Sequence, residues 1–314
     1  MSSIQEEIKK HWDTQQRGYA REILSLIDTG FPAWTVILPD GRFGVAVPYS
    51  GNEPVFESFA SAWIESLAMK NVACDECLVL CSFDSSFAFS SLCAEFVSPG
   101  ESGKCRKNLA SNPVAWWNEW KNLLGNKSVD FRVYDVLGEL VSLLALSKRG
   151  ENPVWRGPSK STCDIDCDSD KYEVKSTLTR NSKVVQIHGL FQLADDGTRK
   201  HLLLARFEQS IHGISINSIV EDLHCEGFSK AELNNYLQDL GYPSGSSNRS
   251  KCYTLLDLSH YCVDESFPHI SASSFVGGVL PQGVTSVNYC VSLDGIEGDS
   301  WLHLIDCCQE QVSK

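Results

Sequence analysis

The chain has 314 residues, 42% of them hydrophobic and 10% aromatic, enough to bury a core and to build two ordinary domains or one large domain with an appendage. A formal net charge of −13 excludes a protein that grips nucleic acid by overall charge alone. No run of about eighteen apolar residues occurs, residues 1–10 lack the apolar stretch of a secretory signal, and thirteen cysteines are scattered rather than framed as staples, so a soluble cytoplasmic protein is expected.

Residues 4–28 read as one helix, with Ile4, Ile8, Trp12, Tyr19, Ile23, Leu24 and Ile27 as its apolar positions and Gly30-Phe31-Pro32 ending it. The β-rich runs 34–38 and 43–47 flank Asp40-Gly41 and predict a hairpin. Next come a helix over 56–68, a strand over 78–83 and a short helix over 87–96. Cys74-x-x-Cys77 has the spacing of a metal pair, but Cys81 and Cys93 make a poorly spaced second pair, and buried or free thiols are the preferred reading. Residues 98–103 are loop material that closes an N-terminal α/β region, expected over 1–100.

A helix over 114–124 carries Trp116, Trp117 and Trp120, which read as core or interface rather than as a base-stacking platform. The helix over 135–148 buries Val136, Leu137, Leu140, Val141 and Leu144 on one face, with Glu139 beside that stripe. Then come Trp155-Arg-Gly-Pro158, Asp164, and Glu173-Val-Lys175 on a predicted strand. Strand side chains two apart share a face, so Glu173 and Lys175 look into one pocket. A tight turn through Asp168-Ser169-Asp170 brings Asp164 beside them. Two carboxylates hold a hard cation such as Mg²⁺ together with substrate oxygens, and a neighbouring lysine steadies an attacking water or developing charge. These are the minimum parts of a metal-assisted phosphodiesterase. A strand over 184–188 is expected to complete three adjacent core strands, with His188 read as structural, and 201–207 reads as the next strand.

The order Trp155-Arg-Gly-Pro158, Asp164, Glu173-Val-Lys175-Ser176-Thr177 resembles the PD-(D/E)XK nuclease superfamily, and most closely the bacterial PD-(D/E)XK motif proteins that occur beside helicase-like and methyltransferase genes in phage-defence loci. The specific part spans about forty residues. Two features depart from the pattern: Cys163 stands where the superfamily has a proline, and Asp166 competes with Asp164 for the metal role. The resemblance implies an α/β (α+β) restriction-endonuclease-like fold, a mixed sheet flanked by helices. It also implies a Mg²⁺ (or Mn²⁺) cofactor, Asp164, Glu173 and Lys175 as catalytic residues, and Asp164, Glu173 and Glu139 as metal ligands. Glu139 and Gln192 take supporting roles, Gln192 at a position where an amide touches DNA or orients a ligand. DNA, a helicase-like ATPase or methyltransferase, and a second copy of the chain are the partners it suggests.

After residue 217 two short helices, the second opened by Ser229-x-x-Glu232, and a strand near 253–256 look like a winged-helix unit within a β-rich C-terminal region. Residues 1–100, 104–210 and 211–314 are thus expected as an N-terminal region, a nuclease core and a C-terminal region. Lys and Arg outnumber Asp and Glu over residues 104–183, whereas the remainder is strongly acidic. The leading reading is a DNA-cleaving subunit of an anti-phage system. The alternative is a non-catalytic assembly or DNA-binding subunit that retains the nuclease fold.

Overall fold

The computed structural model describes residues 3–59, 61–124, 132–159, 161, 163–181, 183–189, 193, 197–271, 274–284 and 286–305. The chain divides into two compact units, residues 1–130 with 243–247, and residues 131–242 with 248–314. The helices over 104–124 therefore fall with the first unit, and most residues after 211 with the second.

In the first unit, α1 (Ser3–Thr14) is shorter than the single helix expected over 4–28. Gly18 adopts φ +80°, which turns the chain, and β1 (Tyr19–Glu22) then pairs with β2 (Trp34–Ile37). β2 and β3 (Phe43–Pro48) form the hairpin expected around Asp40-Gly41. The helix expected over 56–68 is instead a pair of strands, β4 (Phe56–Phe59) and β5 (Ala62–Leu67), because β5 pairs with β6 (Cys77–Ser82) and the ladder outweighs a weak helical pattern. The antiparallel sheet runs β1-β2-β3-β6-β5-β4. Ile8 and Trp12 of α1 and Phe89 and Phe96 of α2 (Phe87–Val97) pack on one face. α3 (Lys104–Ser111) and α4 (Pro113–Leu124) follow, and Trp117 is fully buried in that same cluster, with Trp116 and Trp120 against it. The three tryptophans are core.

The second unit opens with α5 (Val133–Lys148), whose Leu137, Leu140, Val141 and Leu144 are fully buried. Then follow β7 (Val154–Trp155), β8 (Ile165–Cys167), β9 (Asp170–Thr177), β10 (Val184–His188) and β11 (Arg199–Ser210). α6 (Ile216–Cys225), α7 (Lys230–Asp239), β12 (Cys252–Val263), β13 (Asn288–Ser292) and β14 (Asp299–Ser300) complete it. The central sheet runs β14-β12-β11-β9-β8-β7, with β9 and β11 parallel and the other neighbours antiparallel. This is a mixed α+β fold of the expected class.

Two expectations are corrected here. β10 is not the third core strand: it pairs with β13 in a separate two-stranded sheet, and β11 takes the place beside β9. Parallel neighbours need a long crossover, and β10 lies within the one that joins β9 to β11. Its buried Val185 and Ile187 pack with Leu202, Leu204 and Tyr261. The helix pair after 215 forms as expected, opened by caps at Ser215 and Ser229, but the strand that follows is no separate wing. β12 pairs along β11 from Lys200↔Val263 to Ser210↔Cys252, and Ile216, Ile219, Val220 and Leu223 of α6 join the cluster under α5. Among the described residues no helix is long and apolar enough to cross a membrane.

Candidate active site

β8 and β9 form a tight hairpin in which Cys167 faces Asp170 and the turn passes through Asp168 at φ +45°, a left-handed conformation that Asp tolerates. The hairpin fixes the two acidic positions. Asp164 lies just before β8, its N–H donating to the Tyr172 carbonyl at 3.1 Å and its Oδ2 accepting from the Val174 N–H at 2.8 Å. Glu173 and Lys175 share one face of β9, and Lys175 Nζ lies 2.7 Å from Glu173 Oε1. Glu173 is 3% exposed and Lys175 18%, so the pair is nearly buried.

Glu139 comes from the neighbouring helix, and two glycines admit it. A Cβ at Gly138 would stand 2.0 Å from Ser176 Oγ and 3.3 Å from Ala205 Cβ, so the helix lies directly on β9 and β11 there. A Cβ at Gly157 would stand 2.1 Å from Glu139 Oε2. Trp155 Nε1 donates to that same oxygen at 2.6 Å. The Trp155-x-Gly157 lead-in is thus a seat for the Glu139 carboxylate: an indole to hold it and an absent side chain to make room.

Burial and mutual repulsion dominate the electrostatics of the cluster. Burial pushes Glu139 up to about 8, the Asp164 charge adds to the rise, and the Trp155 hydrogen bond opposes it. Burial, with Asp164 next, pushes Glu173 up to about 7, against the pull of Lys175 and Lys200. Burial also raises Asp164, offset by the Val174 N–H and by Lys175.

The structure therefore brings Asp164, Glu173, Lys175 and Glu139 into one electrostatic cluster. Asp166 points elsewhere, its Oδ2 accepting from Arg156 Nε at 2.9 Å. Gln192 lies outside the described residues. His188 sits at an exposed position of β10, in the separate sheet. Sequence reasoning missed Trp155 and Gly157 as the seat of Glu139. It also missed Lys200, a 5%-exposed cation on the face of β11 that Glu173 shares. The signal for Lys200 was its parity with Leu202 and Leu204, legible only once β11 is known to lie parallel to β9.

With this geometry in hand, comparison with known families is decisive on one point. The family model described as "Putative PD-(D/E)XK family member, (DUF4420)" matches residues 50–294. The chain belongs to this family. No curated protein and no solved structure matches the chain significantly. The PD-(D/E)XK family suggests a nuclease-like fold, and its nucleases usually use a divalent metal.

The donor set here fits such an ion. All three candidate ligands offer hard carboxylate oxygens, as Mg²⁺ requires, and a buried cluster of like charges gains from an added cation. The three do not close into a compact cage by themselves: among the described residues, only His201, His260 and Cys262 have ligand atoms all within 4.8 Å of one another. That suits an ion that keeps several waters and takes only one or two protein carboxylates.

Proposed function

We propose that this protein is a Mg²⁺- or Mn²⁺-dependent nuclease that hydrolyses phosphodiester bonds in DNA. The observation that carries the reading is the Lys175–Glu173 pair, 2.7 Å apart and nearly buried, beside Asp164 on one hairpin and facing Glu139 from the adjoining helix. Asp164 and Glu173 would hold the cation, with Glu139 supporting it. Bound there, a divalent ion supplies Lewis-acid polarisation of a phosphoryl oxygen and a water of lowered pKa.

The remaining chemistry belongs to the chain. The Val174 N–H and the hairpin hold Asp164 in one orientation. Lys175 neutralises Glu173 in the resting protein, and once that carboxylate has another positive partner its ammonium is released to hold the attacking water or the charge gathering on phosphorus. Trp155 keeps one Glu139 oxygen engaged. Lys200 adds positive potential where a phosphate would arrive.

The experiment that tests this is calorimetric titration of Mg²⁺ and Mn²⁺ into wild type and Glu173→Ala at two pH values. Wild type is expected to bind an ion and to release protons on doing so near neutral pH, because Glu139 and Glu173 titrate there; Glu173→Ala should lose most of both signals. Equal binding and equal proton release in a folded variant would refute the assignment.

The net charge of −13 favours a second reading, in which the fold serves as an assembly or DNA-binding subunit and not as the cutter. Retained partner capture and retained anti-phage protection in an Asp164, Glu173 and Lys175 triple-alanine variant would support it. Under either reading we place the chain in a defence complex with a helicase-like ATPase or methyltransferase. Such a partner would also supply the nucleic-acid affinity that an acidic chain lacks.

A further inference from the structure

On the other face of the central sheet from Glu173 and Lys175, a second cluster stands apart from the carboxylates. His201 on β11 faces Cys262 on β12 in register, and His260 lies two residues before Cys262 on the same face. One nitrogen or sulfur of each lies within 4.8 Å of the others. His201 Nδ1 and His260 Nε2 are 3.0 Å apart, the ring centroids are 5.0 Å apart and the planes differ by 30°. The rings therefore meet edge to edge, ring nitrogen toward ring nitrogen.

The outward nitrogens of both rings look at carboxylates. His201 Nε2 lies 3.7 Å from Asp170 Oδ2, and His260 Nδ1 lies 3.9 Å from Asp299 Oδ2. Both carboxylates lie beyond hydrogen-bond distance and act by charge, favouring the proton on the outer nitrogen and a lone pair on the inner one. The 3.0 Å separation fits either one ring donating to the other or both inner nitrogens sharing a cation. His201 Nε2 is moreover buried without a hydrogen bond.

Both rings are also locked in place. Tyr172 lies over His201 with centroids 4.7 Å apart, and Trp301 over His260 at 4.3 Å. The nearby cations are already paired, Arg199 with Asp170 and Arg149 with Glu151.

We propose that His201, His260 and Cys262 form a site for one Zn²⁺ ion that clips β11 to β12. Imidazole and thiolate ligands select a borderline or soft transition metal and reject Mg²⁺. Zn–N bonds of about 2.0–2.1 Å in a tetrahedron put two nitrogens roughly 3.3 Å apart, close to the spacing already present. Cys262 is exposed, so a water can complete the coordination from the solvent side. The inference does not depend on nuclease activity.

Cobalt titration of the chelator-stripped full chain tests it. Wild type is expected to take one Co²⁺ at this site, marked by a thiolate-to-cobalt charge-transfer band and the intense visible bands of a four-coordinate ion, displaced by equimolar Zn²⁺ but not by excess Mg²⁺. Cys262→Ser, a change at an exposed thiol, should abolish the charge-transfer band, and His201→Gln should weaken binding at least tenfold. Cys77→Ser and Glu173→Ala should leave the spectrum unchanged. No band in wild type, a band that survives Cys262→Ser, or one that vanishes with Cys77→Ser would each overturn the site.

Discussion

Lys175 is the residue on which the chemistry turns. Its ammonium is held by Glu173 in the resting protein, so replacing it removes a cation that competes for the carboxylate and also removes the group that steadies the transition state. Lys175→Ala should therefore bind Mg²⁺ at least as tightly as wild type while losing roughly 10²–10³-fold in cleavage rate. Calorimetry and single-turnover cleavage on the same preparation check this; a fall in metal affinity together with the rate would show the lysine to be a mere structural partner. Trp155 works one step further out. Its indole N–H is the contact that holds the Glu139 ionisation down, so Trp155→Phe should raise that group further and move the pH at which metal binds upward. A metal-binding pH profile identical to wild type would contradict that role. At this scale the sequence was informative where a motif states the chemistry: Asp164, Glu173, Lys175 and Glu139 all fall in one cluster. The choice between Asp164 and Asp166 was not readable, because both are acidic and two apart. Geometry separates them, with Arg156 holding Asp166 and the Val174 N–H holding Asp164.

At the scale of elements, the site depends on how closely α5 approaches β9. Gly138 permits that approach, and a branched side chain there meets Ser176 and Ala205. Gly138→Val should destabilise the second unit by about 1–3 kcal/mol through overpacking and reduce activity by displacing Glu139, read by urea denaturation and by cleavage. Gly138→Val with unchanged stability would mean that the helix rides higher than the structure has it. Local pattern revealed α5, the β8–β9 hairpin and the helix pair after 215, since each is encoded by contiguous residues. It failed where long-range pairing decides. β10 has the alternating pattern of a core strand, yet the crossover between parallel strands carries it to β13. Residues 56–68 have a passable helical pattern, yet the ladder with β6 makes them strands. No spacing in the sequence announces that β11 lies parallel to β9 or that β12 lies along β11, and so neither the face of Lys200 nor the meeting of His201 with His260 and Cys262 was legible.

For the molecule as a whole, the raised carboxyls couple stability to pH. Glu139 and Glu173 ordinarily titrate near 4.5 and do so at about 8 and about 7 in the folded chain, so the native state binds more protons than the unfolded one between those values. Their contribution is complete below 4.5 and is lost as pH rises through 7 and 8. His260, pushed by burial from 6.5 down to about 4, works the other way and costs stability as pH falls below 6.5. These shifts together make stability of the second unit fall from about pH 4.5 to pH 8, gently below 6.5, where His260 offsets one carboxyl, and more steeply just above it, by on the order of a few kcal/mol in all. Saturating Mg²⁺ should restore much of the loss at high pH, and Glu173→Gln should flatten the decline. Denaturant melts across pH, with and without the ion, check this; stability that rises steadily from pH 6.5 to pH 9 would show that the carboxyls are not crowded as described.

The most direct test of the central claim is cleavage of supercoiled plasmid by the purified full chain in Mg²⁺ or Mn²⁺, alone and with its neighbouring gene products, for wild type and Lys175→Ala. Metal-dependent nicking or linearisation by wild type, abolished by chelator and lost in the folded variant, is the predicted result. Cleavage of equal rate in both proteins would contradict the assignment of the reaction to this cluster, and no cleavage by wild type under any of these conditions would move the chain to the assembly-subunit reading.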